Sequence, residues 1–260
     1  MSISTARVGV MHVHSRYSHD GRDSIEDLRV FMRAHGIGFL ALTDHAEDVE
    51  PEQWAELVTA CERASDADGR IIPGLEFRFA GYTGLHLLAL GLRRWMRPVT
   101  PGEFIAQVRG QAAMTVVAHP GLARYVVPTE VSAGIDAVEV WNGAYNTRYL
   151  PDPRAIALLK RLQQRRPEVV ATAGLDQHDA RNDRQIRVVL ESASDDPMAE
   201  LRAGRFRNRG VMLSFRGTMD WSSAAIAALA GARRAFDLVE RTQDRWARAR
   251  QRSRRSASHR

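Results

Sequence analysis

The sequence predicts an α/β fold assembled from βα units, and three observations predict it. Short apolar, strand-like runs alternate with segments of helical period from Val8 to Leu190. Each run ends in polar residues, as strands do when they open onto a loop-built face. The 260 residues carry 44% hydrophobic content, enough for one large core. Length alone leaves one α/β barrel and two smaller domains equally open, but there is no internal repeat, and no Pro- or Ser-rich linker before about Leu213. A single parallel-stranded domain over residues 8–215 is therefore expected.

The expected strands are Val8 to Val13, Phe39 to Thr43, Arg70 to Glu76, Leu85 to Leu90, Thr115 to Ala118, Ala137 to Trp141, Val169 to Ala173 and Ile186 to Leu190. Helices are expected over Ser24 to Ala34, Pro51 to Ala64, Pro101 to Ala112 and Asp152 to Arg165. Ser24 and Asp152 suit N-caps, because a short polar side chain can accept from the free amides of the first turn. Pro51 and Pro101 suit a first turn, where no amide hydrogen is needed. Beyond Leu213 the character changes. Trp221 to Arg250 reads as an amphipathic basic helix, with Ile226, Leu229, Phe236, Val239 and Trp246 apolar among arginines. Residues 251–260 are too polar and basic to join a core, and a disordered tail is expected there.

Composition limits the chemistry. Cys61 is the only cysteine, which excludes an intrachain disulfide and a thiolate zinc cage, so a metal here must be held by nitrogen and oxygen. No apolar leader-like run occupies Met1 to Arg7, and no run of about eighteen apolar residues occurs, so a soluble cytoplasmic protein without a membrane span is expected. The formal net charge is +6, and Lys160 is the one lysine among 37 basic residues. Guanidinium forks suit phosphate and carboxylate ligands. Most of so many arginines are nevertheless accounted for as solvated surface.

The most informative segment is His12-Val13-His14, at the end of the first expected strand, where alternation puts both imidazoles on one side of the backbone. Such a pair alone is more often ordinary than metal-binding. Here it recurs with like groups: Thr43-Asp44-His45, Pro73-Gly74-Leu75-Glu76, Ala118-His119-Pro120, Gly174-Leu175-Asp176-Gln177-His178, and Leu85-His86 at the start of an apolar run. Of the nine histidines only His19, His35 and His259 fall outside these groups. In a barrel of parallel strands the C-terminal ends open on one face, so ligands far apart in sequence converge there.

Taken together with Ser15, and with Ser18-His19-Asp20-Gly21 and Gly121, these ordered motifs resemble those of the PHP family, named for its polymerase and histidinol phosphatase members. The resemblance spans most of Val8 to Leu190. It implies a distorted seven-stranded β/α barrel with two or three divalent metal ions, zinc, manganese or iron. Its implied activity is that of a phosphoesterase attacking phosphorus with a metal-bound hydroxide. Carried over residue by residue, it implies that His12, His14, Glu76 and Asp176 hold one ion, with Glu76 bridging to a second held by His119 and a further ligand, for which His86 is the candidate, the alternative being a histidine bonded to backbone at the start of a buried strand. It further implies that Asp20, His45 and His178 hold a third ion, Asp20 standing where some members carry histidine. Glu76, Asp176 and His178 are the residues expected to serve the chemistry directly. The extra His19 leaves open which neighbouring side chain reaches the cluster.

For the phosphate of a small phosphorylated substrate the candidates are Arg16, Arg22, Arg124, Arg148, Arg181 and Arg184, all in loops expected on the metal-bearing face. Glu139 and Asn142 are expected either to line the pocket or to pack in the core. Asp44 and Asp179 are candidates to orient neighbouring imidazoles or are simple turn residues. Two other functions remain open. An amidohydrolase-type barrel also begins with HxH, but it uses a carboxylated lysine or a different late aspartate, and lacks both the Asp20-Gly21 and the Gly174 to His178 groups. A nuclease or nucleic-acid-associated protein would use the basic tail, with Arg241, Arg245, Arg248, Arg250, Arg252, Arg254 and Arg255 attracting a phosphate backbone.

Overall fold

A computed structural model describes residues 8–111, 113–192, 194, 196–236 and 238. The chain divides into two compact units at Asp220/Trp221. In the second, residues 223–236 are helical. The remainder of the expected helix to Arg250 and the 251–260 tail lie outside the described residues. Among the described residues, no helix is long and apolar enough to cross a membrane.

The first unit is a mixed α/β structure with two six-stranded sheets. Its strands are β1 (Val8–Val13), β2 (Phe39–Leu42), β3 (Asp44–His45), β4 (Arg70–Ile72), β5 (Gly74–Arg78), β6 (His86–Leu90), β7 (Met114–Ala118), β8 (Ala137–Asn142), β9 (Val170–Gly174), β10 (Arg187–Leu190), β11 (Phe206–Arg209) and β12 (Ser214–Arg216). One sheet runs β12-β11-β10-β1-β2-β4 and the other β3-β5-β6-β7-β8-β9. The helices are α1 (Ile25–His35), α2 (Pro51–Ala64), α3 (Pro101–Arg109), α4 (Thr129–Ser132), α5 (Pro153–Gln163) and α6 (Pro197–Arg202).

Helix boundaries follow from local chemistry. The Ser24 hydroxyl accepts from Asp27 N at 3.1 Å, and the Asp27 carboxylate accepts from Ser24 N at 3.0 Å, a reciprocal cap that starts α1. Gly36, at φ 61°, ends it in the left-handed conformation. Thr100 and Asp152 start α3 and α5 with one-way caps, their side chains accepting from Glu103 N and Arg154 N, each ahead of a proline in the first turn.

Two expectations about the strands are corrected. Arg70 to Glu76 is not one strand: Pro73, with no amide hydrogen for a ladder, separates β4 in one sheet from β5 in the other. Nor are the strands all parallel. β6 is antiparallel to both β5 and β7, and β10 is antiparallel to β1. The link from β5 to β6, residues 79–85, is too short for the crossover helix that a parallel return demands. Thr43 N donates to Val13 O at 2.8 Å where the chain passes from β2 to β3. Beyond β9, Leu175 N donates to Met11 O and His14 N to Gln177 O, both at 2.8 Å.

The main core draws on both sheets, with Phe39, Leu88, Val116, Val170, Val188 and Phe206 buried in one cluster. Burying each such side chain contributes roughly 1.5–3 kcal/mol before entropy is counted. This rigid interior fixes the strand ends that carry the polar groups described next.

Candidate metal centre

His12 does not reach the cluster by simple alternation. The register of β1 against β2 slips between Met11 and Val13, so His12 is the extra residue of a bulge, at φ 59°. A bulge bends the strand and re-aims one side chain. His14 follows directly after the strand, and the two rings come to 5.3 Å between centroids. Glycine is required opposite: a Cβ on Gly174 would lie 1.9 Å from Glu139 Oε1 and 2.7 Å from His12 Cβ.

Four buried side chains then face one point. His12 Nε2 lies 3.6 Å from Glu76 Oε2 and 3.5 Å from Asp176 Oδ1, and His14 Nε2 lies 3.5 Å and 3.6 Å from the same two oxygens. An ion with four ligands at about 2.0–2.2 Å spaces its donors about 3.3–3.6 Å apart, so these separations fit one cation. Both Nε2 atoms are buried without a hydrogen-bond partner among the described residues. An orphaned donor or acceptor in a protein interior calls for an explanation, and coordination of an ion is one of the standard ones.

The opposite nitrogens are engaged. His12 Nδ1 lies 2.9 Å from Glu139 Oε1, while Glu139 Oε2 accepts from His119 N and Asn142 Nδ2, each at 2.8 Å. Glu139 and Asn142 thus belong to the cluster's support. His14 Nδ1 lies 3.2 Å from Ser18 Oγ, which also accepts from His45 N at 2.9 Å and donates to Asp44 Oδ1 at 2.8 Å. With Asp44 as a carboxylate, the hydroxyl must donate to it, so His14 Nδ1 carries the proton and Nε2 keeps its lone pair. Asp44 therefore orients His14 through Ser18 and not the ring of its neighbour His45. Asp179 pairs with Arg181 at 2.6 Å, whereas His178 Nδ1 lies 3.2 Å from Asp176 O.

Glu76, on β5, divides its carboxylate. Oε2 faces His12, His14 and, at 3.3 Å, His45 Nδ1; Oε1 faces His86 Nδ1 at 2.7 Å and His119 Nε2 at 3.2 Å. His86 stands at the start of its strand, yet the antiparallel direction of β6 pairs it with Arg78 and Ala118, at the far ends of β5 and β7. Asp20 Oδ1 lies 3.3 Å from His45 Nε2 and 3.4 Å from His178 Nε2. His19 is 61% exposed with Nδ1 on Asp48 at 2.7 Å, yet it still groups with Asp20 and His45, while Asp20 is the neighbour that stands between His45 and His178. The triplets Glu76–His86–His119, His12–His119–Asp176 and His14–His45–His178 each offer donor atoms within 4.8 Å of one another.

Charge and strain both concentrate here. Burial opposes ionisation of Glu76, but the surrounding imidazoles of His119, His12, His45 and His86 hold its carboxyl well below the ordinary range. Asp176 is depressed against burial by the neighbouring imidazoles of His12, His14 and His119. Burial lowers His14 to about 4, leaving it neutral at neutral pH. At His12 burial acts in the same direction, yet Asp176 and Glu139 raise it well above 6.5. His12, His119 (φ 23°) and Asp176 (φ 50°) are non-glycine residues in the left-handed region, a conformation costing about 1–3 kcal/mol each that persists only where the surroundings enforce it.

The arginines separate. Arg22 and Arg184 line, with Asp20, Asp176 and His178, a cavity of about 430 Å³. Arg16 lies in another depression, beside Tyr17 and Glu56. Arg181 is bound to Asp179, Arg148 Nη2 to Tyr149 OH at 2.7 Å, and Arg124 is exposed in the turn after β7. Two residues escaped the sequence reading. Arg78 Nη2 lies 3.3 Å from both ring nitrogens of His45, and the Tyr145 ring lies 4.9 Å from that of His119. Arg78 was within reach, since it stands two residues beyond Glu76 on the same strand; no sequence signal distinguishes Tyr145.

The PHP domain model matches residues 11–140, half of the chain, and the protein belongs to that family. A two-domain protein from Bacteroides vulgatus, with a predicted PHP-like metal-dependent phosphoesterase domain, superposes with a TM-score of 0.58 at 17% identity over 78% of this chain. The chain spans 64% of that protein's length. A Bifidobacterium adolescentis protein described as a metal-dependent phosphoesterase gives a TM-score of 0.50 at 17% identity, covering 79% of this chain and 97% of its own. At such identities these two establish a shared fold. No curated protein matches the sequence.

Proposed function

We propose that the protein is a metal-dependent phosphoesterase that hydrolyses a small phosphate ester: a nucleotide, a nucleoside bisphosphate, or a sugar or amino-alcohol phosphate. The division of Glu76 between two histidine groups, beside the orphaned Nε2 atoms of His12 and His14, carries the reading. His12, His14, Glu76 and Asp176 would hold one divalent ion, Glu76, His86 and His119 a second, and Asp20, His45 and His178 a third. Zinc, manganese and iron all suit such nitrogen and oxygen donors. Bound there, divalent ions would polarise a phosphoryl oxygen and acidify water.

The chain itself supplies positioning. Glu139 and Ser18 fix the ligand-facing nitrogens of His12 and His14, and Arg22 and Arg184 draw an anion into the cavity beside Asp176 and His178. No side-chain nucleophile is needed, and Cys61 is buried with its thiol pushed up by burial. Lys160, the sole lysine, lies on α5 with Nζ 3.6 Å from Asp220, outside the cluster, which favours this reading over an amidohydrolase using a carboxylated lysine.

In the same reading residues 8–215 form a distorted seven-stranded barrel of β1, β2/β3, β4/β5, β6, β7, β8 and β9, supported by the hydrogen bonds from β1 to the residues after β9. The arginines from Arg241 to Arg255 give the end of the chain a positive charge that would attract polyanions such as nucleic acid. A cytoplasmic location accords with the single buried cysteine.

The test is hydrolysis of p-nitrophenyl phosphate and a nucleotide panel by protein loaded with zinc, manganese or iron, with and without chelator. Turnover should need metal and fall on the order of a hundredfold or more in Glu76→Gln. Chelator-insensitive turnover, or cleavage of amides alone, would contradict the proposal.

A further inference from the structure

Arg78 reaches the cluster by the alternation that delivers Glu76, since residues two apart on a strand share a face. Phe77 and Phe79 point the other way and are buried against Phe104, with ring centroids at 5.1 and 6.0 Å, so the direction of Arg78 is fixed by packing behind it. Its side chain is 43% exposed, at the boundary between solvent and the buried histidines. Nη1 lies 3.4 Å from Glu47 Oε1 and Nη2 lies 3.3 Å from His45 Nδ1 and Nε2.

If His45 helps to hold a divalent ion, the Glu76 and Asp20 carboxylates, each 3.3 Å from one of its ring nitrogens, offset part of the positive charge that the guanidinium and the ion bring together, and an anionic ligand would offset more. Glu47 answers only one side of the fork, and as a half-exposed ion pair it is a weak tether. A guanidinium presents parallel N–H donors in a plane, a geometry matched by two oxygens of a phosphoryl group.

Resting on the phosphoesterase reading above, we propose that Arg78 is a substrate-binding residue that takes non-bridging oxygens of the phosphoryl group from the His45 side of the cluster. Glu47 holds its guanidinium there in the free protein. Arg22 and Arg184 line the cavity beside Asp20, Asp176 and His178.

The probe is inorganic phosphate, titrated into the metal-loaded full-length protein by calorimetry and used as an inhibitor of p-nitrophenyl phosphate hydrolysis. Wild type, Arg78→Lys and Arg78→Ala are compared, with metal content measured on each. Arg78→Ala should weaken phosphate binding and raise KM by about 10- to 100-fold at unchanged metal content, and Arg78→Lys, which keeps the charge but loses the fork, should fall between. Phosphate binding and KM unchanged in both variants would overturn the proposal, as would losses that track loss of metal. A wild-type protein that carries metal yet neither binds phosphate nor cleaves a phosphate ester would refute the phosphoesterase reading itself, and this inference with it.

Discussion

Glu139 Oε1 sits 2.9 Å from His12 Nδ1, and that contact decides which nitrogen of His12 faces Glu76 and Asp176. A carboxylate behind a metal-facing imidazole fixes its tautomer and raises its basicity. Glu139→Gln should therefore lower metal affinity by about 10- to 100-fold without unfolding the protein. Competition against a chromophoric chelator, with circular dichroism as the control, measures this; wild-type affinity in the variant would show that the contact is incidental.

Gly174 makes room for that pair. In Gly174→Ala the new methyl meets Glu139 Oε1 and His12 Cβ, so overpacking should cost about 1–3 kcal/mol of stability and lower metal content together. Urea denaturation reads the first and elemental analysis the second. A stable variant with full metal content would mean that the bulge at His12 yields easily.

The metal-free protein should lose stability on both sides of neutrality. His12 is raised on folding, so its contribution is complete below the unfolded value near 6.5 and is lost as pH rises through the folded one. Glu76 and Asp176 are depressed, so theirs is present above the unfolded carboxylate values and lost as pH falls. His14, lowered to about 4, adds to the acid side, because the unfolded chain takes up its proton first between about 6.5 and 4. Metal binding must displace the His12 proton, so affinity should rise with pH across that titration and the alkaline loss should vanish in loaded protein. Urea midpoints against pH, with chelator and with metal, test both limbs; a flat alkaline limb without metal would contradict the assignment at His12.

Cys61 should resist Ellman's reagent in the native protein and react fully in denaturant, since it is buried and burial keeps the thiol protonated. Rapid native labelling would place it in a region that opens readily.

Much of the site could be read from residue type at strand junctions. His12, His14, Glu76, His119 and Asp176 each close an apolar run, and the fold gathers them whatever the details of the loops. Pro73 was a visible break inside Arg70 to Glu76, but only the pairing shows that β4 and β5 belong to different sheets. The bulge at His12 depends on Gly174 and Glu139, both more than a hundred residues away, so local periodicity could not announce it. β11 was missed because Arg207 and Arg209 alternate with Phe206 and a buried Asn208, whose Nδ2 finds Ala171 O at 2.9 Å, leaving little apolar pattern to see. The six arginines proposed for phosphate scattered because loop conformation, not strand register, sets where they go.

Glu76 stands between two groups of candidate metal ligands, one at each carboxylate oxygen. Elemental analysis of metal-loaded wild type and Glu76→Gln, both dialysed against metal-free buffer, tests it most directly. At least two metal equivalents per wild-type chain and a clear loss in the variant are expected. A wild-type protein that retains no metal, or a variant that retains as much as wild type, would contradict it.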